Sequence, residues 1–143
     1  MYHLIVTKIL YNRIYFGKLI GLTIGTFGFF IAPLVFEGIH YNLRFAILFW
    51  YITFGAIIGS FGYLKGDYFL LILPKYQRAM FIGAWLNFII MLFLYEPISS
   101  MLGQVFISYP IFQSPLWLIV EGALLGLIIE FVISVNSSKQ INP

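Results

Sequence analysis

LIGLTIGTFGFFIAPLVF, from Leu19 to Phe36, runs eighteen residues without a charge. A helix that crosses a bilayer needs about 20 mostly apolar residues, within a range of roughly 17 to 25. Strands of a membrane barrel alternate apolar and polar residues. This stretch is apolar on every side, which predicts a transmembrane helix. The same reading applies at Phe45 to Leu64, which is also uncharged, and at Ala79 to Tyr95, whose one strongly polar residue is Asn87. Leu116 to Val135 is long enough but carries Glu121 and Glu130. Its thirteen Leu, Ile, Val and Phe residues contribute roughly 6 kcal/mol of insertion energy at about 0.45 each. Two acidic residues at roughly 2.5 to 3.5 kcal/mol each about cancel that gain, and less so away from the helix centre. The segment is expected to insert.

Composition agrees. Of 143 residues, 62% are hydrophobic and 9% charged, against roughly 25% charged in soluble domains. So few charges cannot cover a water-facing surface, and large exposed apolar patches drive association in water. Aromatic residues reach 20%, with ten Tyr and three Trp, and amphipathic rings favour membrane interfaces. The expected fold is an all-α membrane protein: one domain over residues 1–143, with four transmembrane helices in an antiparallel bundle. No cleavable signal is expected, since no small-residue cleavage site follows the first apolar segment.

Lys and Arg set orientation by concentrating in cytoplasmic loops. With the N-terminus inside, Lys8, Arg13, Lys18, Lys65, Lys75, Arg78 and Lys139 are inside and Arg44 alone is outside. That predicts both termini in the cytoplasm and a plasma (inner) membrane. The net charge of +3 belongs to these flanking positions and predicts no nucleic-acid partner. Residues 65–78 are expected along the inner interface. Residues 97–115, rich in Pro and aromatics, are expected as an interfacial helix or a partly re-entrant loop. Met1 to Tyr15 either forms an interfacial helix or extends the first span.

Glycines recur every three or four residues: Gly17, Gly21, Gly25 and Gly28; Gly55, Gly59 and Gly62; Gly122 and Gly126. Such spacing puts them on one helix face. In lipid, small residues let backbones approach closely, so a glycine-zipper packing of helices is expected. The glycines of the first two helices fall in their inner halves. The bulkier outer halves, with Phe29, Phe30, Phe45, Phe49 and Trp50, are expected to splay. A short echo, Ile24 to Phe29 against Ile58 to Tyr63, fits convergent packing better than duplication.

Ionisable groups inside a membrane are costly and often functional. Glu37, Glu96 and Arg44 are expected near the outer face with Glu121, and Asn87 near it in the third helix. These five form the candidate ion, proton or polar site. Glu121 is expected to bond Asn87 or Tyr hydroxyls. Nine residues place Glu130 about 180° from Glu121 around the helix, where Lys18, Lys75 or Arg78 could pair with it. His40 is expected in a solvated loop.

The chain has no cysteine and two histidines, His3 and His40, expected on opposite membrane sides. No metal site or cofactor is expected, and no hydrolase, zincin or phosphate-loop motif is present. An enzyme is not expected. The balance favours a small structural or accessory protein working with lipid, with itself or with other membrane proteins, because four helices leave little interior for a path. The alternative is a small proton- or cation-coupled transporter or channel using Glu121.

Overall fold

A computed structural model of the chain describes residues 2–62 and 72–139, and the side chains of 9–62 and 72–136. The described residues are all-helical, with five α-helices among them: α1 (Tyr2–Val35), α2 (Tyr41–Phe61), α3 (Lys75–Phe93), α4 (Tyr95–Val105) and α5 (Trp117–Lys139). A 3-10 turn, Pro110–Gln113, lies between α4 and α5. Among the described residues, four segments are long and apolar enough to span a bilayer: Ile9–Val35, Tyr41–Phe61, Lys75–Phe93 and Trp117–Asn136. The chain is an integral membrane protein by that measure.

The first three long helices start earlier than the hydropathy pattern predicts, and the last begins at Trp117, one residue after the expected Leu116. α1 is continuous from Tyr2, so the N-terminal residues extend the first span rather than forming a separate interfacial helix. The 27 residues of its apolar part reach about 40 Å at about 1.5 Å per residue, beyond the roughly 30 Å of bilayer hydrocarbon. α2 begins at Tyr41 instead of Phe45, which puts Arg44 on its first turn. α3 begins at Lys75 instead of Ala79, which brings Arg78 into the helix. Basic residues read from the sequence as loop charges thus belong to helices. A long aliphatic stem lets a basic head reach a distant partner while the helix continues. Residues 97–115 hold most of α4 and the 3-10 turn. Residues 65–71 of the expected interfacial stretch, and the last residues of the predicted second helix, lie outside the described residues.

The long helices associate mainly as two pairs, α1 with α2 and α3 with α5. Glycine makes both seams. Gly17 lies against the Gly55 backbone, and Gly21 against the Tyr51 carbonyl. A methyl group added at Gly25 would stand 2.8 Å from the Leu48 carbonyl oxygen, and one at Gly59 2.6 Å from the Arg13 carbonyl oxygen. In the other pair Gly83 meets Gly122, and Gly126 meets Ala79. No side chain fits such gaps, and dispersion between closely set backbones replaces the hydrophobic drive that lipid does not supply. Gly38, at φ +73°, turns the chain between α1 and α2, a conformation that glycine adopts without steric cost.

The two pairs close on one another at one end only. There Phe54, Ile58, Ala79, Ile82, Ile129 and Ile133 form a buried core, with Phe16, Ile20 and Ile24 of α1 packed against it. Toward the Gly38 end the pairs part. The expected splay between α1 and α2 does not occur: Gly28 still meets Ile47, and Arg44 Nε donates to the Phe29 carbonyl at 2.9 Å. The opening lies between the pairs.

Candidate functional site

Two polar centres occur between the helices, one on each side of α5. The first is an ion pair at the packed end. Arg13 Nη2 donates to Glu130 Oε2 at 2.5 Å. Glu130 is fully buried, with no exposed surface. Arg13 Nε also donates to the Gly59 carbonyl at 3.3 Å, and Ser134 Oγ donates to Glu130 Oε1 at 2.9 Å. Lys75 Nζ in turn donates to Ser134 at 3.0 Å. A side chain at Gly62 would collide with both Arg13 and Glu130, so that glycine makes room for the pair. The sequence pointed to Lys18, Lys75 or Arg78 as the direct partner of Glu130. Arg13 takes that place, because α1 continues down to it as helix. Arg78 instead donates to the Phe61 and Leu73 carbonyls, at 2.9 and 3.2 Å.

The second centre surrounds Glu121, in the second turn of α5. The Tyr51 hydroxyl donates to Glu121 Oε1. Asn87 Nδ2 donates to Glu121 Oε2 at 3.5 Å and to the Leu118 carbonyl at 2.9 Å. Trp50 Nε1 donates to Asn87 Oδ1 at 3.2 Å. These contacts fix the amide's orientation on chemical grounds. Indole N–H can only donate and a carbonyl can only accept, so Asn87 must turn its oxygen to Trp50 and its nitrogen to Leu118 and Glu121. The carboxyl group therefore faces a donor at each oxygen.

Glu121 stands at the edge of the space between the helix pairs. That cavity measures about 590 Å³ and is walled by α1, α2, α3, α4 and α5. Ile31, Ala32, Val35, Ile47, Ile98 and Met101 represent its aliphatic lining. Trp50, Tyr51, Asn87 and Glu121 line it as well, and among the described residues Glu121 is the only Asp, Glu, Lys, Arg or His in the lining. A groove of about 500 Å³ lies on the other side of Glu121, under Phe106, Phe112 and Trp117. Trp117 Nε1 donates to the Ile111 carbonyl at 2.8 Å and ties the 3-10 turn to the start of α5.

Of the five residues predicted to share a site, the fold joins two, Glu121 and Asn87. Glu37 and Glu96 are exposed and do not line the cavity. Arg44 is occupied elsewhere, by the Phe29 carbonyl and by the faces of Phe29 and Tyr41, 4.3 and 4.7 Å from the ring centroids. Helix ends spread the outer charges over the surface, whereas one-sequence reasoning could only place them at a common depth. His40 precedes α2 and is exposed; the His3 side chain lies outside the described residues. Among the described residues, no group of three or more His, Asp or Glu gathers to hold a metal.

The sequence places Arg13 as a topology charge and Trp50 as outer-half bulk, and gives Glu121 a Tyr partner without a number, yet a signal for the polar roles of Arg13 and Tyr51 exists. Arg13 stands four residues before Gly17, and Tyr51 four before Gly55. Residues four apart share a helix face, so each extends a glycine stripe by one turn. Searched against known proteins, the chain matches no family model, no curated protein and no solved structure.

Proposed function

We propose that this protein is a small polytopic membrane protein that takes up a proton or a cation at Glu121. The observation that carries the reading is a carboxyl group held by neutral donors at the edge of an apolar cavity. Ionisable residues within membrane spans face the bundle interior or a cavity and mark substrate, ion and proton pathways. The space between the helix pairs removes the objection that four helices enclose too little interior. In this reading the helices are antiparallel, since residue numbers rise along α1 as their contacts fall along α2. Both termini lie in the cytoplasm, following the bias of basic residues, and the membrane is the plasma (inner) membrane. A reporter fused after Pro143 is expected to read cytoplasmic and one inserted at Gln104 external; the reverse result would refute the orientation. Proteoliposomes containing the protein are expected to pass protons or monovalent cations faster than empty liposomes. Glu121→Gln should return the rate to that of empty liposomes while the protein remains folded. Equal rates with and without wild-type protein would sink the proton or cation reading.

A second reading has its own support. At the packed end the buried charges neutralise each other and the core closes the space between helices, which leaves no polar route among the described residues there. That favours a structural or accessory role without enzymatic activity, in an oligomer or a larger membrane complex. Affinity purification in mild detergent, followed by mass spectrometry, tests it. A stoichiometric membrane partner supports this reading, and a chain recovered alone as a monomer counts against it.

A further inference from the structure

The Glu121 cavity has three properties that together define an occupant. It is large: about 590 Å³, within the roughly 300 to 1,000 Å³ of small-molecule sites. It is almost wholly apolar. It presents one carboxyl group, whose two hydrogen-bond partners, Tyr51 and Asn87, carry no positive charge. The Arg13 guanidinium is committed to Glu130.

We propose that the cavity binds an amphiphilic organic ammonium, with its apolar body against the α1, α2 and α4 walls and its N–H groups on the Glu121 carboxylate. The assignment rests on the proton-or-cation reading of Glu121 and names the class of ligand. Each carboxylate oxygen keeps a lone pair beyond the bond it accepts from Tyr51 or Asn87, and an ammonium is the donor that also balances the charge. Other occupants fit less well. A bare Ca²⁺ takes six to eight oxygen ligands, and Mg²⁺ near-octahedral coordination, whereas this wall offers one carboxylate, a phenol and an amide. An anion would meet the carboxylate. An uncharged acyl chain would fill the aliphatic wall only with Glu121 protonated, and would leave the remaining lone pairs of the carboxyl group unused. Burial of the ligand's apolar body and one charge-assisted hydrogen bond supply affinity and selectivity separately, so the two can be measured separately.

The test uses the purified full-length chain in phosphatidylcholine nanodiscs at pH 7. The probes are 3,3-diphenylpropylammonium and the neutral 3,3-diphenylpropan-1-ol, with isothermal calorimetry and indole fluorescence as readouts. Trp50 lines the cavity, so occupancy should change its emission; Trp50→Phe in the same assay isolates that contribution. The ammonium is expected to bind at least tenfold more tightly than the alcohol, the range that a hydrogen bond to a charged group supplies. Glu121→Gln should erase the preference and leave alcohol binding unchanged. Equal affinities in the wild type, or a preference that survives Glu121→Gln, would overturn the proposal. If Glu121→Gln does not fold, Ile98→Trp carries the test: it fills the cavity and leaves the carboxyl group in place. Both probes should then weaken at least tenfold, and unchanged binding would overturn the site. Nanodiscs containing phosphatidylethanolamine should give the same probe affinity. Displacement of the probe there would assign the cavity to that lipid's headgroup and overturn the free-ammonium assignment. Loss of cation flux in Glu121→Gln without any ammonium preference would sink the ligand class alone, while absence of both would sink the reading of Glu121 itself.

Discussion

Glu121 and Glu130 lie nine residues apart on α5 and are held by different chemistry. Glu130 is fully buried, in contact with a guanidinium. Glu121 is partly exposed to a cavity and meets a phenol and an amide. The first is closed and charge-balanced, which suits a role in holding α1 to α5. The second is open and unbalanced, which suits exchange with something that enters. Sequence position alone gives two acids in one apolar helix. Their partners, supplied by other helices, divide them into a clasp and a candidate site.

The largest expected effect breaks the clasp. Arg13→Ala leaves Glu130 as an unpaired buried acid, and Glu130→Ala strands the guanidinium. Each should lower stability by about 3 to 5 kcal/mol, measured by unfolding in mixed micelles with increasing denaturing detergent. Replacing both, Arg13→Met with Glu130→Met, should recover most of the loss, because two apolar side chains of similar volume leave no charge to solvate. A double variant as unstable as the singles would show that the region depends on the charges themselves, and the contrast with Glu121 would narrow.

An intermediate effect is expected at Asn87, which is buried and joins Trp50, Leu118 and Glu121. Asn87→Leu keeps the volume close but leaves an indole N–H and a carbonyl without their partners. A loss of about 1 to 3 kcal/mol is expected, and thermal unfolding followed by circular dichroism would measure it. A neutral result would mean that water replaces the amide, placing the cluster in a wetter setting than its partners indicate.

Much of this fold is legible in the sequence, for a physical reason. Lipid demands long apolar helices with their backbones bonded internally, and four such stretches stand out at once. The polar centres are partly legible through the glycine stripes. Arg13, Gly17, Gly21 and Gly25 recur every four residues, as do Gly122, Gly126, Glu130 and Ser134. A polar residue that continues a glycine stripe points into a helix seam, and the partners Arg13 and Glu130 both do so. The cavity is not legible. It depends on how the two pairs set against each other, a distance fixed by Phe54, Ile58 and their neighbours at the far end. No periodicity within one helix encodes it. Depth misled as well: Glu37, Glu96 and Arg44 share a level with Glu121 in the sequence reading, but side chains at one level still point in different directions.

The smallest stability effect is expected from Glu121→Gln, and it distinguishes the two acids most sharply. The geometry dictates how glutamine must sit. Trp50 and Leu118 hold Asn87 with its nitrogen toward residue 121, so the new amide must offer its oxygen to Asn87. Its nitrogen then faces the Tyr51 hydroxyl, which can rotate to accept. Asn87 keeps its acceptor and the new amide finds one in the tyrosine oxygen, while the Tyr51 O–H turns to the cavity that Tyr51 lines, and the stability change should stay within about 1 kcal/mol. Tyr51→Phe removes that hydroxyl. In the Tyr51→Phe background the carboxyl group has already lost its donor, so Glu121→Gln should cost less than it does alone, by a coupling of about 1 kcal/mol in a double-mutant cycle. A single Glu121→Gln substitution that loses 3 kcal/mol or more would place Glu121 with Glu130 as a structural charge. Additive effects in the cycle would mean that Tyr51 does not hold the carboxyl group, and the cavity's polar end would need another account.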